Sequence, residues 1–193
     1  MSEVSERKRL LYADYLLAER EAEAQQEAKH EYLRGEVWAM AGGSPEHGRL
    51  AMRVAAILTR LLEGKPCELF SSDVRVRIEA TDLATYPDLS VVCEGIEAAG
   101  DDPSAVANPM LLVEVLSDST EAYDRGEKWA HYQRLESLEA YLLVSQRAPR
   151  IELFSRTEDG GWSYAQATAG QRLAIPALGG SVEVDEVYRD PLA

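Results

Sequence analysis

The sequence has few of the residues that build disulfide frameworks and zinc sites. Its 193 residues include only two cysteines and three histidines. Cys67 and Cys93 lie far apart in apolar surroundings, which favours two free buried thiols over a disulfide or a metal site. Zinc sites need clusters of Cys and His, so their scarcity argues against a zinc enzyme.

Long apolar runs are also absent. No stretch approaches the roughly 18 consecutive apolar residues that indicate a membrane-spanning helix. The first nine residues mix Glu, Lys and Arg, and they lack the apolar core of a signal peptide. We therefore expect a cytoplasmic protein with no membrane partner.

Basic residues are scarce relative to acidic ones. The chain has 20 Lys and Arg against 34 Asp and Glu, a formal net charge of −14. Proteins that bind nucleic acid by releasing counterions normally present a basic surface, so this balance argues against tight nonspecific DNA binding. The sequence still allows a local basic groove, because Arg49, Arg53 and Arg60 cluster on one edge of a predicted helix. That edge is either an ordinary solvated face or a nucleic-acid-binding face that contacts phosphates.

The length and composition predict one domain over 1–193. Hydrophobic residues make up 46% and charged residues 28% of the chain, which is typical of globular proteins. Apolar periodicity and turn signals predict an N-terminal helix and hairpin, an alternation of helix and strands, and a late hairpin. The predicted helices cover 5–28, 46–63 and 121–135, and the predicted strands cover 29–33, 36–40, 69–78, 86–93, 109–116, 140–144, 150–156 and 162–168. This order predicts a mixed β-sheet flanked by helices, in the α/β class.

Three local expectations follow from composition. In the 69–78 strand, Val76 and Ile78 alternate with Arg75 and Arg77, which predicts one solvent-facing side. The segment 94–108 contains Gly, Asp and Pro and reads as an irregular connection. The late hairpin and the apolar segment 175–178 offer a surface for dimerisation.

Glu114 stands in the middle of the apolar run 109–116, which predicts a buried strand. A buried acid is usually paired, hydrogen-bonded or bound to a metal, because an isolated buried charge is costly. Asp88 opens another short apolar strand, and the two side chains can face each other if the strands are neighbours. Two carboxylates about 4 Å apart repel by roughly 4 kcal/mol near a protein surface, and Mg²⁺ or Mn²⁺ would relieve that repulsion. The alternatives are a turn-associated role for Asp88 after proline and a buried ion pair between Glu114 and an arginine such as Arg75.

Three polar residues follow the Glu114 strand at helical spacing. Asp124, Lys128 and Tyr132 are four apart, so they lie along one stripe of the predicted helix. The stripe either faces the two carboxylates or forms an exposed ion pair that contributes little to stability.

These residues together resemble a known family. The motifs that carry the resemblance are Tyr86-Pro87-Asp88, Glu114, Ser117-Asp118-Ser119-Thr120 and Tyr123-Asp124-Arg125-Gly126-Glu127-Lys128 with Tyr132. Further matches at 30–36, 45–48 and 139–144 extend it over most of the chain. The sequence resembles the Uma-two family of restriction-type endonucleases, within the PD-(D/E)XK nuclease-like superfamily.

The resemblance implies a restriction-endonuclease-like core with the N-terminal helix and hairpin and the C-terminal hairpin as additions. It also implies hydrolysis of DNA phosphodiester bonds with Mg²⁺ (or Mn²⁺), with Asp88 and Glu114 as the metal ligands. The superfamily lysine usually stands two residues after the second acid, where this chain has Leu116. Lys128 on the following helix is then the candidate for that catalytic lysine.

Other residues match the family pattern as possible additional site members. They are Glu31, His47, Asp124 and Tyr132. Glu31 can equally be a solvated strand acid, and His47 a residue that caps a helix. The leading interpretation is a metal-dependent endonuclease that acts as a homodimer, since restriction-type enzymes cut duplexes as symmetric pairs. The alternatives are an inactive nuclease-like fold that binds nucleic acid or protein, and a purely structural module.

Overall fold

A computed structural model describes residues 9–40 and 42–189 of the chain. Its five α-helices in these ranges are α1 (Tyr12–Ala24), α2 (Pro45–Leu62), α3 (Glu121–Arg125), α4 (Glu127–Tyr132) and α5 (Val184–Tyr188). Its strands are β1 (His30–Leu33), β2 (Glu36–Ala39), β3 (Cys67–Ser71), β4 (Val76–Ile78), β5 (Leu83–Thr85), β6 (Leu89–Cys93), β7 (Ala98–Ala99), β8 (Asp102–Val106), β9 (Leu111–Leu116), β10 (Ala140–Ser145), β11 (Arg150–Arg156), β12 (Trp162–Thr168), β13 (Arg172–Ile175) and β14 (Gly180–Glu183). None of the described helices combines the length and the apolar character that a membrane crossing requires.

The strands form two mixed six-stranded sheets and a small two-stranded sheet, β13-β14. The first sheet has the order β2-β1-β5-β4-β8-β7, and the second has the order β12-β11-β10-β9-β6-β3. In the second sheet β9 runs parallel to β10 and antiparallel to β6. The predicted α/β class is confirmed, although the strands are divided among three sheets where one was expected.

Apolar side chains fill both faces of the second sheet. One face, which includes Val113 and Val115, packs against α2, α5 and the small β13–β14 hairpin. The other face, which includes Leu112 and Leu116, packs against α4 and the first sheet. Because side chains alternate along a strand, Glu114 points to the face between the two sheets. This placement sets the acid at the junction of the sheets and α4.

Two of the three predicted helices are present as single helices, and the third is divided. The amphipathic helix at 46–63 is confirmed as α2, which begins after the Ser44 cap whose hydroxyl accepts from the His47 N–H. The helix expected at 121–135 is instead divided at Gly126 into α3 and α4. The N-terminal helix is confirmed over Tyr12–Ala24 as α1, but 9–11 and 25–28 of the predicted range are not helical. The expected residues 5–8 lie outside the described residues.

The predicted 69–78 strand was wrong. It is divided by a turn at 72–75 into β3 and β4, which belong to different sheets. The side chains of Arg75 and Arg77 are buried rather than solvent-facing, because Asp102 pairs with Arg75 and Asp82 and Asp101 pair with Arg77. Asp101 and Asp102 come from the 94–108 segment, which forms β7 and β8 where an irregular connection was expected.

Two further expectations are corrected. Cys67 and Cys93 are joined in a disulfide, where two free thiols were expected, because the antiparallel register of β3 and β6 sets the two residues directly opposite each other. Ile175 and Leu178 are buried in the core against α2 and β14. The 175–178 segment therefore does not present these two side chains as a dimer surface.

Candidate active site

Asp88 lies against the strand that carries Glu114. The antiparallel register pairs Leu89 with Val113, so its continuation sets Asp88 beside Glu114. The Val115 N–H donates a 2.7 Å hydrogen bond to Oδ2 of Asp88. The two strands are thus neighbours, and the carboxylates of Asp88 and Glu114 share one end of the β6–β9 pair.

Glu114 is buried together with a lysine. Glu114 is 4% exposed and Lys128 is 5% exposed. The Lys128 ammonium lies 2.9 Å from Oε1 of Glu114, and the Tyr132 hydroxyl donates a 2.7 Å hydrogen bond to the same oxygen. Burial nevertheless raises the pKa of Glu114 to about 8, with the charges of Asp88 and Asp124 adding to the rise and Lys128 opposing it. The carboxyl group is therefore in an environment where a further cation would be favourable.

Lys128 connects the two sheets. Its ammonium lies 3.2 Å from Oε1 of Glu31, which comes from β1 in the first sheet, and 3.8 Å from Oδ1 of Asp124 one turn earlier in the chain. The Thr85 hydroxyl, from β5, donates to the same Glu31 oxygen. Three carboxylates thus surround one ammonium. Of the two alternatives for this stripe, the exposed ion pair is wrong, because the pair is part of a buried cluster.

His47 contacts the other acid. It lies in the first turn of α2, and its Nε2 is 3.1 Å from Oδ2 of Asp88. This hydrogen bond raises the pKa of His47, against the opposing effect of burial. The imidazole and the Val115 N–H together hold one oxygen of Asp88 in place.

The charges of the cluster are unbalanced. Its acids are Glu31, Asp88, Glu114 and Asp124, and its lysine is Lys128, with His47 at Asp88. Burial raises the pKa of Asp124 as well, with Asp88 and Glu31 adding to the rise. A site with more carboxylates than cations is suited to a divalent cation.

The donor set fits a hard cation such as Mg²⁺. Within 9–40 and 42–189, no group of three or more His, Cys, Asp or Glu side chains is arranged to hold a metal by itself. Mg²⁺, however, commonly takes one or two carboxylates and completes its shell with water and substrate phosphates. Among the described residues, none donates a hydrogen bond to Oε2 of Glu114 or to Oδ1 of Asp88. One oxygen of each acid is fixed by the protein, and the other is available.

The expected lysine position holds a core residue. Leu116 is buried between the sheets, and Lys128 reaches the Glu114 carboxylate from α4 instead. Arg75, the alternative partner for Glu114, pairs with Asp102. The helix that follows the strand therefore supplies the ammonium at this site.

The arginines of α2 are not among the residues that line the cleft over the acidic cluster. Arg49 pairs with Glu46 and also donates to the backbone oxygen of Arg189. Arg60 pairs with Glu186 of α5. Arg53 forms no ion pair with a described residue, and the nucleic-acid-binding role of the three arginines stays a prediction.

A cleft of about 590 Å³ opens over the acids. Its lining includes Trp38 and Tyr86, which were not singled out from the sequence as site residues. The register of β1 and β2 pairs Trp38 directly with Glu31. A tight hairpin around Arg34-Gly35 predicts this pairing, so counting back from the turn would have found Trp38.

The chain is similar to several known proteins. A family model described as "Putative restriction endonuclease", Uma2, matches residues 12–185. Two uncharacterized proteins of Synechocystis sp. strain PCC 6803 are 39% and 33% identical, over 86% and 84% of this chain and 87% and 89% of their own lengths.

A solved structure shares the fold. It is the crystal structure of a protein described as a putative nuclease belonging to DUF820, from Anabaena variabilis ATCC 29413. The TM-score is 0.68 at 12% sequence identity, over 83% of this chain and 90% of the other. Together with the match to the family model, this likeness confirms the expected nuclease-like fold, and the chain belongs to the Uma2 family of putative restriction endonucleases.

Proposed function

We propose that this protein is an endonuclease that uses Mg²⁺ or Mn²⁺ to hydrolyse phosphodiester bonds in DNA. The observation that carries the proposal is a cleft lined by four acids, three of which surround Lys128. The fourth, Asp88, is held beside them by His47 and the Val115 N–H. Family membership supports a nuclease, and the unbalanced negative charge supports the divalent cation.

Asp88 and Glu114 are the residues that would hold the metal, through the oxygens that no described residue occupies. A bound Mg²⁺ would polarise the phosphate and lower the pKa of a water molecule. The Val115 N–H and His47 fix the carboxylate of Asp88, and the Tyr132 hydroxyl fixes that of Glu114. Such hydrogen bonds orient the ligands and stop them from rotating away.

In this proposal, Lys128 has a direct role in acting on the substrate. The neighbouring carboxylates of Glu114 and Glu31 raise its pKa despite its burial, so its ammonium stays protonated at neutral pH. A protonated amine beside the two acids can orient the attacking water and stabilise the negative charge that develops on the phosphate. The lysine then performs from α4 the role that the superfamily gives to the position of Leu116.

Plasmid cleavage tests the proposal. Purified protein should nick or linearise supercoiled plasmid with Mg²⁺ or Mn²⁺ and leave it intact in EDTA. Asp88→Asn and Glu114→Gln should each lower the rate by at least about 100-fold, because each removes a charged ligand. Glu68→Gln, at an exposed position on β3, is the matched control and should cut at the wild-type rate. Cleavage that survives Glu114→Gln would contradict the assignment.

The alternative is an inactive nuclease-like fold that binds nucleic acid or protein. Two observations favour it, namely Leu116 at the usual lysine position and the net charge of −14. An inactive fold should give no heat of binding at millimolar Mg²⁺ and should cleave no DNA. The endonuclease proposal requires both Mg²⁺ binding and cleavage.

A homodimer stays a prediction. Its original basis is weakened because Ile175 and Leu178 lie in the core. Light scattering at working concentration distinguishes a monomer from a dimer. A measured mass of one chain would remove dimerisation from the proposal.

A further inference from the structure

Aromatic side chains form one wall of the cleft beside the acids. Trp38 and Tyr123 both line the cleft, with ring centroids 6.5 Å apart and planes at 85°. Trp38 is paired with Glu31 across the β1–β2 hairpin, so the two side chains project from the same face of the first sheet. The indole therefore lies beside the acidic cluster rather than on a separate surface.

The hydroxyl of Tyr123 lacks a partner. Its oxygen is buried and accepts or donates no hydrogen bond within the part of the chain that the structure describes. Buried hydroxyls are normally satisfied by protein groups, ordered water or a ligand. Because Tyr123 lines the cleft, a ligand bound there can supply the missing acceptor. Burial and the charge of Glu31 raise the pKa of Tyr123, so the group remains a hydrogen-bond donor at neutral pH.

The charge of the protein limits how it can bind DNA. A surface with a net charge of −14 gains little from phosphate contacts. Stacking of a base on an aromatic ring depends less on charge, and it tolerates any sequence because every base has a π-face. An aromatic wall is therefore the feature of this cleft that is best suited to binding a nucleic acid.

We propose that the cleft binds one unpaired nucleotide of a DNA strand, with its base stacked on Trp38 and an acceptor atom of the nucleotide bonded to the Tyr123 hydroxyl. The preferred substrate is then single-stranded or locally unpaired DNA. The cleft volume of about 590 Å³ is within the range of small-ligand pockets, and a base in an intact duplex must leave its stack to enter such a pocket. This inference rests on the proposed function for the chemistry and adds the substrate class to it.

Binding without cleavage tests the inference. Fluorescence polarisation with a labelled oligothymidine in EDTA measures affinity while hydrolysis is suppressed. Trp38→Ala should weaken binding roughly 5- to 100-fold, the range expected when one stacked base is lost. Trp38→Phe should retain most of the affinity, because it keeps an aromatic face. Tyr123→Phe should weaken binding about 2- to 10-fold, because it removes one hydrogen bond.

A matched control separates stacking from damage to the fold. Trp162→Ala removes another partly exposed tryptophan, on β12 outside the cleft lining, and should leave affinity unchanged. Circular dichroism and urea unfolding should show that the Trp38 variants remain folded. Equal affinity of Trp38→Ala and wild type would overturn the inference.

Cleavage assays distinguish this inference from the proposed function. With metal, wild type should cut a single strand, or a duplex with an unpaired bubble, at least 10-fold faster than the uninterrupted duplex. Equal rates on all three, with no effect of Trp38→Ala, would overturn the substrate class and leave the endonuclease proposal standing. Binding that depends on Trp38 but no cleavage of any substrate would support the subsite and overturn the endonuclease proposal.

Discussion

The Lys128 ammonium lies 2.9 Å from the Glu114 carboxylate although both side chains are almost fully buried. Glu31 and Asp124 approach the same ammonium, so the lysine neutralises only part of the surrounding negative charge. We therefore expect the stability of the fold and the proposed chemistry of the cleft to depend on the same four residues. This dependence makes the account testable by measurements of stability as well as of activity.

The loss of Lys128 should destabilise the protein strongly. Lys128→Met removes one partner of a buried pair and should lower the free energy of unfolding by about 3–5 kcal/mol at pH 8. The loss should be smaller at pH 5, where Glu114 is protonated. Urea unfolding at both pH values measures the effect. Lys29→Met, which breaks the exposed pair with Asp73, is the control and should cost about 1 kcal/mol or less; equal losses in the two variants would contradict the account.

Glu114 should make stability depend on pH. Its pKa rises from its ordinary value of 4.5 to about 8 in the folded protein, so the folded state binds more protons than the unfolded state between these values. The free energy of unfolding should fall as pH rises through this window, by up to about 1.4 kcal/mol per pH unit. Lys128 stays protonated throughout, because its pKa is raised.

Glu114→Gln removes this titration and serves as the reference. The difference in unfolding free energy, wild type minus variant, should decrease from pH 5 to pH 8 and be nearly constant below about pH 4.5. A difference that is flat across the window, or that increases with pH, would show that the carboxyl group is ionised throughout.

His47 should affect metal affinity without being a ligand. It holds Oδ2 of Asp88, and loss of such an orienting contact typically lowers metal affinity 10- to 100-fold. We expect His47→Ala to weaken Mn²⁺ binding by this factor in calorimetric titration. His30→Ala, which removes a contact to Glu19 outside the cleft lining, should bind Mn²⁺ as wild type does. An unchanged affinity for His47→Ala would remove its positioning role.

The disulfide should contribute to stability. Cys67 and Cys93 are 26 residues apart, and a cross-link over such a loop contributes roughly 3–4 kcal/mol in the chain-entropy description. Reduction should lower the urea midpoint of wild type and leave the Cys67→Ser, Cys93→Ser double variant unchanged. Mass spectrometry of protein purified without reductant should show no free thiol, and two alkylatable cysteines there would contradict the pairing.

The sequence was a reliable guide where one local pattern determined the outcome. Helix α2 follows from the apolar period of its own residues, and the β1–β2 hairpin follows from the turn residues Arg34-Gly35. Both elements were predicted because their signals lie in neighbouring residues of the chain. Asp124, Lys128 and Tyr132 were placed on one stripe by the same rule. Spacing cannot show which surface packs against a stripe, however, so their burial against Glu114 became clear only from the structure.

The errors have a common physical cause. Arg75 and Arg77 were expected on a solvent-facing side of the strand. The alternation of side chains shows their direction, but it does not show which residues from distant parts of the chain pair with them. Their partners include Asp101 and Asp102, in a segment whose short strands carry too little apolar periodicity to be recognised. The cysteine pairing likewise depends on the register of β3 against β6, which no local signal determines.

Calorimetric titration of Mn²⁺ into wild type and Glu114→Gln at pH 8 tests the central claim most directly, because it asks whether the carboxylates of Asp88 and Glu114 bind a divalent cation. The account predicts saturable binding of about one ion per chain to wild type, and affinity lowered at least 10-fold in the variant. Absence of binding to wild type, or equal affinity of the two proteins, would contradict it.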